Sequence, residues 1–151
     1  MSDAGNAQDS ARARAVTRRL LVQAIYQRLV GGQAWQELHG QYSTDQTYPR
    51  ADAAYFRDAL EAVCDGAGGL DEALRQFSDI QPERLDPVEH AILQLGLWEL
   101  MAQPGVPYRV VINEAVELAK RYGATDGYRY VNAVLDKASR VHRAVERGEV
   151  A

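Results

Sequence analysis

Three histidines, one cysteine and twenty-one carboxylates are the groups from which a catalytic or metal site would have to be assembled. Hydrolysis or group transfer needs a nucleophile, a base and a charge-stabilising group that converge. His39, His90 and His142 fall in three separate helical segments, and none belongs to a His-Glu-x-x-His pair or another ligand spacing. Cys64 stands alone among apolar helix positions, so it forms no internal disulfide and reads as a small buried hydrophobe. Gly66-Ala67-Gly68-Gly69 follows no strand and reads as a turn, not a phosphate loop. The carboxylates lie mostly at exposed helical positions beside arginines, as Glu117 stands four residues before Arg121. Neither catalysis nor a metal or cofactor is expected.

A second chemistry is better supplied. Between Ala11 and Val30 the five arginines Arg12, Arg14, Arg18, Arg19 and Arg28 meet no acid. By region, Met1–Val30 carries five Arg against two Asp, Gly31–Tyr108 four Arg against thirteen acids, and Arg109–Ala151 eight Lys or Arg against six acids. A net charge of −4 therefore conceals a positive N-terminal segment that favours an anionic partner. On a helical wheel Arg12, Arg19, Gln23, Tyr26 and Gln27 oppose Leu21, Val22, Ile25 and Leu29. An anionic partner is one reading of these arginines and a solvated helix face the other; Tyr26 and the run Tyr128-Arg129-Tyr130 add aromatic rings of the kind on which unpaired bases stack. Tyr130 also suits a core position beside Val131 and Val134, and Asp126 suits a helix cap better than an RNA contact.

The elements that must position these groups are all helical. Residues 1–10 are small and polar and read as a disordered tail. A helix from Ala11 ends at Gly31-Gly32, and a short amphipathic piece covers Ala34–Gln41, with a loop over Ser43–Arg50. Helices follow over Asp52–Asp65 and around Leu70–Phe77, separated by Gly66, Gly68 and Gly69. Asp86-Pro87-Val88-Glu89 combines an Asp cap, proline at the first helical position and an acid three residues after the cap. The helix it opens, apolar from Ala91 to Met101 on nearly every side, is expected to be central and buried, closing at Pro104-Gly105. Pro107 opens the next, to a left-handed cap at Gly123, and the last runs from Asp126 to Arg147 on Val131, Val134, Leu135, Ala138, Val141 and Val145. No segment alternates with period two. The expectation is an all-α bundle of about seven helices within 11–147, in two packed subdomains of three to four helices over about 11–83 and 84–147. No apolar stretch reaches the roughly 18 residues of a membrane span and no signal segment opens the chain, which reads as soluble and intracellular.

Several stretches carry a specific resemblance. Val22-Gln23-Ala24-Ile25-Tyr26, Tyr55-Phe56-Arg57-Asp58, Val88-Glu89-His90-Ala91-Ile92-Leu93, the run Val106-Pro107-Tyr108 through Asn113-Glu114-Ala115 to Lys120, and Tyr130-Val131-Asn132-Ala133-Val134-Leu135-Asp136-Lys137 together resemble the NusB family of bacterial transcription antitermination factors, over about Ala11–Arg143. The resemblance implies two small helical subdomains and a non-enzymatic, cytoplasmic RNA-binding adaptor. It would pair with NusE, a small-subunit ribosomal protein, bind boxA RNA of nascent rRNA transcripts and join the RNA polymerase antitermination complex. The site residues it implies are Arg12, Arg14, Arg18, Arg19, Gln23, Tyr26, Asp126, Arg129 and Tyr130 for RNA, with Glu89 near the NusE surface. In this chain Ala15 and Val16 interrupt the arginine run. Family members occur as monomers and as homodimers. Two other readings are a NusB-like domain of an rRNA cytosine methyltransferase, against which the lack of a βαβ cofactor region counts, and a structural, dimerising bundle with solvated arginines.

Overall fold

The computed structural model describes residues Asp3–Glu149, which form two compact units divided between Asp65 and Gly66. The sequence-based boundary near residue 83 falls inside the second unit.

In the first unit α1 (Asp3–Gly31) packs along α2 (Trp35–Tyr42) and α3 (Ala53–Asp65), with a 3₁₀ turn at Tyr48–Arg50 between the last two. Helix α1 begins eight residues earlier than Ala11, so Asp3–Ser10 are helical and not a disordered tail, while Met1 and Ser2 lie outside the described residues. Extending an existing helix needs no new nucleus, and the alanines of this segment are the best helix formers available. Gly32, at φ +77°, ends α1 in the left-handed region that glycine adopts without steric cost. Leu20, Leu21, Val22, Ala24 and Ile25 of α1, Leu38 of α2, and Phe56, Ala59, Leu60 and Val63 of α3 are buried. Each fully buried Leu or Phe stabilises the fold by roughly 1.5–3 kcal/mol before entropy is subtracted. Cys64 is buried as expected, and desolvation pushes its thiol up to about 11.

In the second unit α4 (Ala67–Leu74) packs on α5 (Pro87–Ala102), which also contacts α6 (Tyr108–Tyr122) and α7 (Gly127–His142). A 3₁₀ turn at Pro82–Arg84 precedes α5, and a four-residue α8 (Ala144–Arg147) follows α7. Asp86 caps α5 as its sequence predicts, Oδ1 accepting from the amides of Val88 at 2.9 Å and Glu89 at 3.2 Å. Helix α5 is the buried centre: Ala91, Ile92, Leu93, Leu95, Leu97 and Leu100 have almost no exposure, and Gly96 admits Leu135 of α7 where a Cβ would meet its Cδ1 at 2.9 Å. Burial on α5 includes polar groups too. His90 Nε2 lies 2.7 Å from Asp71 Oδ1, which also accepts from Gln94 Nε2 at 3.0 Å, tying α4 to α5. Met101, expected inside, is 47% exposed because it occupies the last turn of the helix.

The glycines and the C-terminal helix differ from their sequence reading. Only Gly66 stands outside α4; Gly68 and Gly69 are within it, in open space. Gly123 is extended, at φ −86° and ψ 178°, and not left-handed. The expected single last helix breaks at Arg143, whose buried guanidinium turns back to the carboxyl end of α5. It donates to the carbonyls of Leu100 (2.8 Å), Glu99 (3.0 Å), Gln103 (2.7 Å) and Val106 (2.8 Å) and pairs with Glu146 at 2.6 Å. The Leu100 and Val106 carbonyls thereby gain a donor, and those of Glu99 and Gln103, which already accept the amides of Gln103 and Val106 at 3.0 Å each, gain a second. Val141 and Val145 lie on the outer side of this break and are exposed.

Candidate nucleic-acid interface

The basic helix α1 separates its arginines. Arg12 projects outward, its side chain 78% exposed, with Asp9 one turn away at 3.9 Å, and Arg19 is half-buried. Gln23 and Tyr26 are exposed. These four residues share one face, as the 100° step of an α-helix requires. Arg14 and Arg18 do not join them. Arg14 lies over the Tyr55 ring, 3.5 Å from its centroid, and pairs with Asp52 at 3.4 Å. That same Asp52 accepts the Tyr55 amide at 3.1 Å, so Arg14 ties α1 to the start of α3. Arg18 is buried to 3% exposure, which corrects its placement among the solvent-facing phosphate ligands. The signal was present in the sequence. On the helical wheel Arg14 and Arg18 fall on the side of Leu21, Val22, Ile25 and Leu29, and their charge concealed it. Nor is the arginine segment free of acids in space, since Asp9 and Asp52 reach it.

In the second unit the start of α7 gathers Asp126, Tyr128, Arg129 and Tyr130 beside Glu89. Asp126 does not cap α7 with its side chain. It is the described non-glycine residue with positive φ (+66°), and its carboxylate pairs with Arg129 Nε at 3.5 Å. Arg129 and Lys120 flank the Tyr128 ring, 5.3 and 5.0 Å from its centroid. Lys120, which sequence reasoning did not single out, thus enlarges the cationic and aromatic surface of Tyr128, Arg129 and Tyr130. Tyr130 is half-buried, and its hydroxyl is hydrogen-bonded to that of Ser78. Glu89 is 8% exposed, and burial, reinforced by the nearby Asp86 carboxylate, raises its pKa. The RNA-directed residues thus form two groups, Arg12, Arg19, Gln23 and Tyr26 on the first unit, and Asp126, Arg129 and Tyr130 with Glu89 on the second.

The histidines have packing partners. His39 lies between Trp35 and Phe56, with ring centroids 6.4 and 6.0 Å away, and His142 meets Phe77 edge-on at 5.9 Å. Among the described residues no three His, Cys, Asp or Glu side chains are grouped to hold a metal ion. No described helix is long and apolar enough to cross a membrane.

Helices alone, with cationic and aromatic side chains set on their faces, define a small all-α protein equipped with a charged, stacking surface. The chain belongs to the NusB family, whose profile matches residues 15–140. It is 46% identical over 145 residues to the transcription antitermination protein NusB of Pseudomonas putida (strain GB-1), covering 96% of this chain and 87% of that protein. To the protein of the same name from Alcanivorax borkumensis it is 44% identical over 137 residues, 91% of each chain. The solved structure of T. maritima NusB superimposes with a TM-score of 0.79 at 25% identity, over 91% of this chain and 97% of that one.

Proposed function

We propose that the protein is a non-enzymatic transcription antitermination factor that works in the cytoplasm. Together with NusE it binds the single-stranded boxA element of nascent rRNA transcripts and joins the RNA polymerase antitermination complex. The observation that carries this reading is the outward stripe Arg12, Arg19, Gln23 and Tyr26 on the first helix of a NusB-family chain. Guanidinium groups hold phosphates through charge-assisted hydrogen bonds, and an exposed tyrosine ring offers a face to an unstacked base. Tyr128, Arg129 and Tyr130 supply the same pair of chemistries on the second unit, and we assign Glu89 to the neighbourhood of the NusE contact.

The test is a titration with labelled boxA-like RNA and a scrambled control, with and without NusE. Tighter binding of the boxA-like RNA, strengthened by NusE, is the expected result. Equal binding of both RNAs at every NusE concentration would overturn the reading.

A further inference from the structure

The outward face of α1 changes character along its length. Arg12, Arg19, Gln23, Tyr26, Gln27 and Val30 fall within about 100° of the helix circumference. Its first half is cationic. Its second half is uncharged, ending in Tyr26 at 40% and Val30 at 63% exposure.

At Gln27 this face passes to another helix. The side-chain amides of Gln27 on α1 and Gln41 on α2 hydrogen-bond reciprocally, at 2.8 and 3.1 Å, and the Tyr42 hydroxyl donates to Gln27 Oε1 at 2.9 Å. Both amides sit at the surface, yet three hydrogen bonds hold them in one arrangement. Each retains a second N–H, and Gln41 an acceptor lone pair, with no partner among the described residues. Among the described residues no cation is hydrogen-bonded to the pair. The charged groups of α2 are the acid Glu37 and His39, the latter turned into the aromatic cluster; Asp45 follows the helix, and the next cation along the chain is Arg50. A phosphate has no reason to come here, whereas the edges of bases, which need fixed neutral donors and acceptors, do.

We infer that the Gln27–Gln41 pair, braced by Tyr42, continues the RNA surface from α1 onto α2 as a base-reading patch. The inference rests on the RNA-binding function proposed above. Arg12 and Arg19 hold the backbone, Tyr26 stacks a base, and the paired amides contact the edges of the bases that follow. Because the amides are already oriented, little side-chain entropy is lost when an RNA base reaches them.

The experiment is an anisotropy titration of the full chain with labelled boxA-like RNA, in the presence of NusE and at two salt concentrations. It compares Gln41→Ala, Gln27→Ala and Arg19→Glu with the parent and repeats each with RNAs carrying one abasic position at a time. Gln41→Ala is expected to weaken binding about threefold to tenfold, the loss of one or two neutral hydrogen bonds, with an unchanged salt dependence. That loss should vanish on one abasic RNA, which identifies the base being read. If Gln41→Ala does not fold, Gln41→Met, which keeps length and helix propensity, carries the same expectation. Parent-like binding by both Gln variants, alongside a flattened salt dependence in Arg19→Glu, would overturn the base-reading patch and leave the RNA function standing. A flattened salt dependence in Gln41→Ala would also overturn it, by making the contact one to phosphate. If the parent does not prefer boxA-like RNA and Arg19→Glu binds as the parent does, the RNA function falls and takes this inference with it.

Discussion

A Cβ on Gly127 would lie 1.5 Å from Oε1 of Glu89, so the first residue of α7 is the seat on which the Glu89 carboxyl rests. The acid assigned to the partner surface and the segment Tyr128-Arg129-Tyr130 therefore share one contact. Gly127→Ala must push the Glu89 side chain aside or shift the start of α7, at a cost of about 1–3 kcal/mol as for other overpacked sites. Combining it with Glu89→Ala should recover most of that loss. Additive costs in the double variant, measured by chemical denaturation, would show that the two residues do not meet.

Glu89 also makes stability depend on pH. Its folded pKa is raised by burial and by Asp86, so the unfolded chain ionises first as pH climbs. The contribution is fully present below the ordinary glutamate value and is lost as pH rises through the folded one. Glu89→Gln should match the parent near pH 4 and exceed it in unfolding free energy at pH 7. An advantage that does not grow with pH would mean that the carboxyl is solvated.

Arg143→Leu removes the group that donates to four carbonyls around the end of α5. Leaving the Leu100 and Val106 carbonyls without a donor and the Glu146 carboxylate without its cation should cost about 3–5 kcal/mol. Arg143→Lys, with one ammonium in place of a five-donor fork, should recover only part of this. A loss below about 1 kcal/mol in urea denaturation would show that the carbonyls find water instead.

The two adjacent arginines of α1 should behave differently. Arg19→Glu is expected to keep the fold, weaken RNA binding and flatten its salt dependence, each phosphate contact contributing roughly 0.7 to the slope of log affinity against log salt. Arg18→Glu places a carboxylate where the structure buries 97% of the residue and should lower the melting temperature sharply. Unchanged melting temperature in Arg18→Glu would contradict its burial.

For Tyr130, the ring and the hydroxyl can be tested apart. Tyr130→Phe deletes the bond to Ser78 and should cost about 0.5–1.5 kcal/mol of stability while leaving RNA affinity in place. Tyr130→Ala should cost about 1–3 kcal/mol of RNA affinity if the ring stacks on a base. Parent-like RNA affinity in both variants, per folded molecule, would make Tyr130 a packing residue alone.

Features that depend on neighbouring residues were the legible ones. The start of α5 follows from Asp86-Pro87 because a cap and a proline act within one turn, and the end of α1 follows from Gly31-Gly32 for the same reason. Arg143 was illegible because its partners lie up to 44 residues earlier, and no local pattern marks a cation that turns inward. Asp126 has the composition of a cap, yet it occupies the left-handed region that Asp also tolerates, and residue type alone does not separate the two uses. On the surface, residue type named Arg12, Arg19, Gln23 and Tyr26, while the pairing of Gln27 with Gln41 needed α2 to be laid beside α1.

The reach of Arg143 also bears on how the chain is made. Synthesis runs from the N-terminus, and α5 leaves the ribosome while the residue that completes its carboxyl end is still untranslated, 43 positions beyond Leu100. Until then the Leu100 carbonyl near the end of the most buried helix lacks the donor that completes it, while Glu99 already accepts the Gln103 amide. The first unit, wholly upstream, has no such wait. Vectorial synthesis therefore staggers the two units: Met1–Asp65 is available to fold first, and the second cannot be completed until Arg143 has been added.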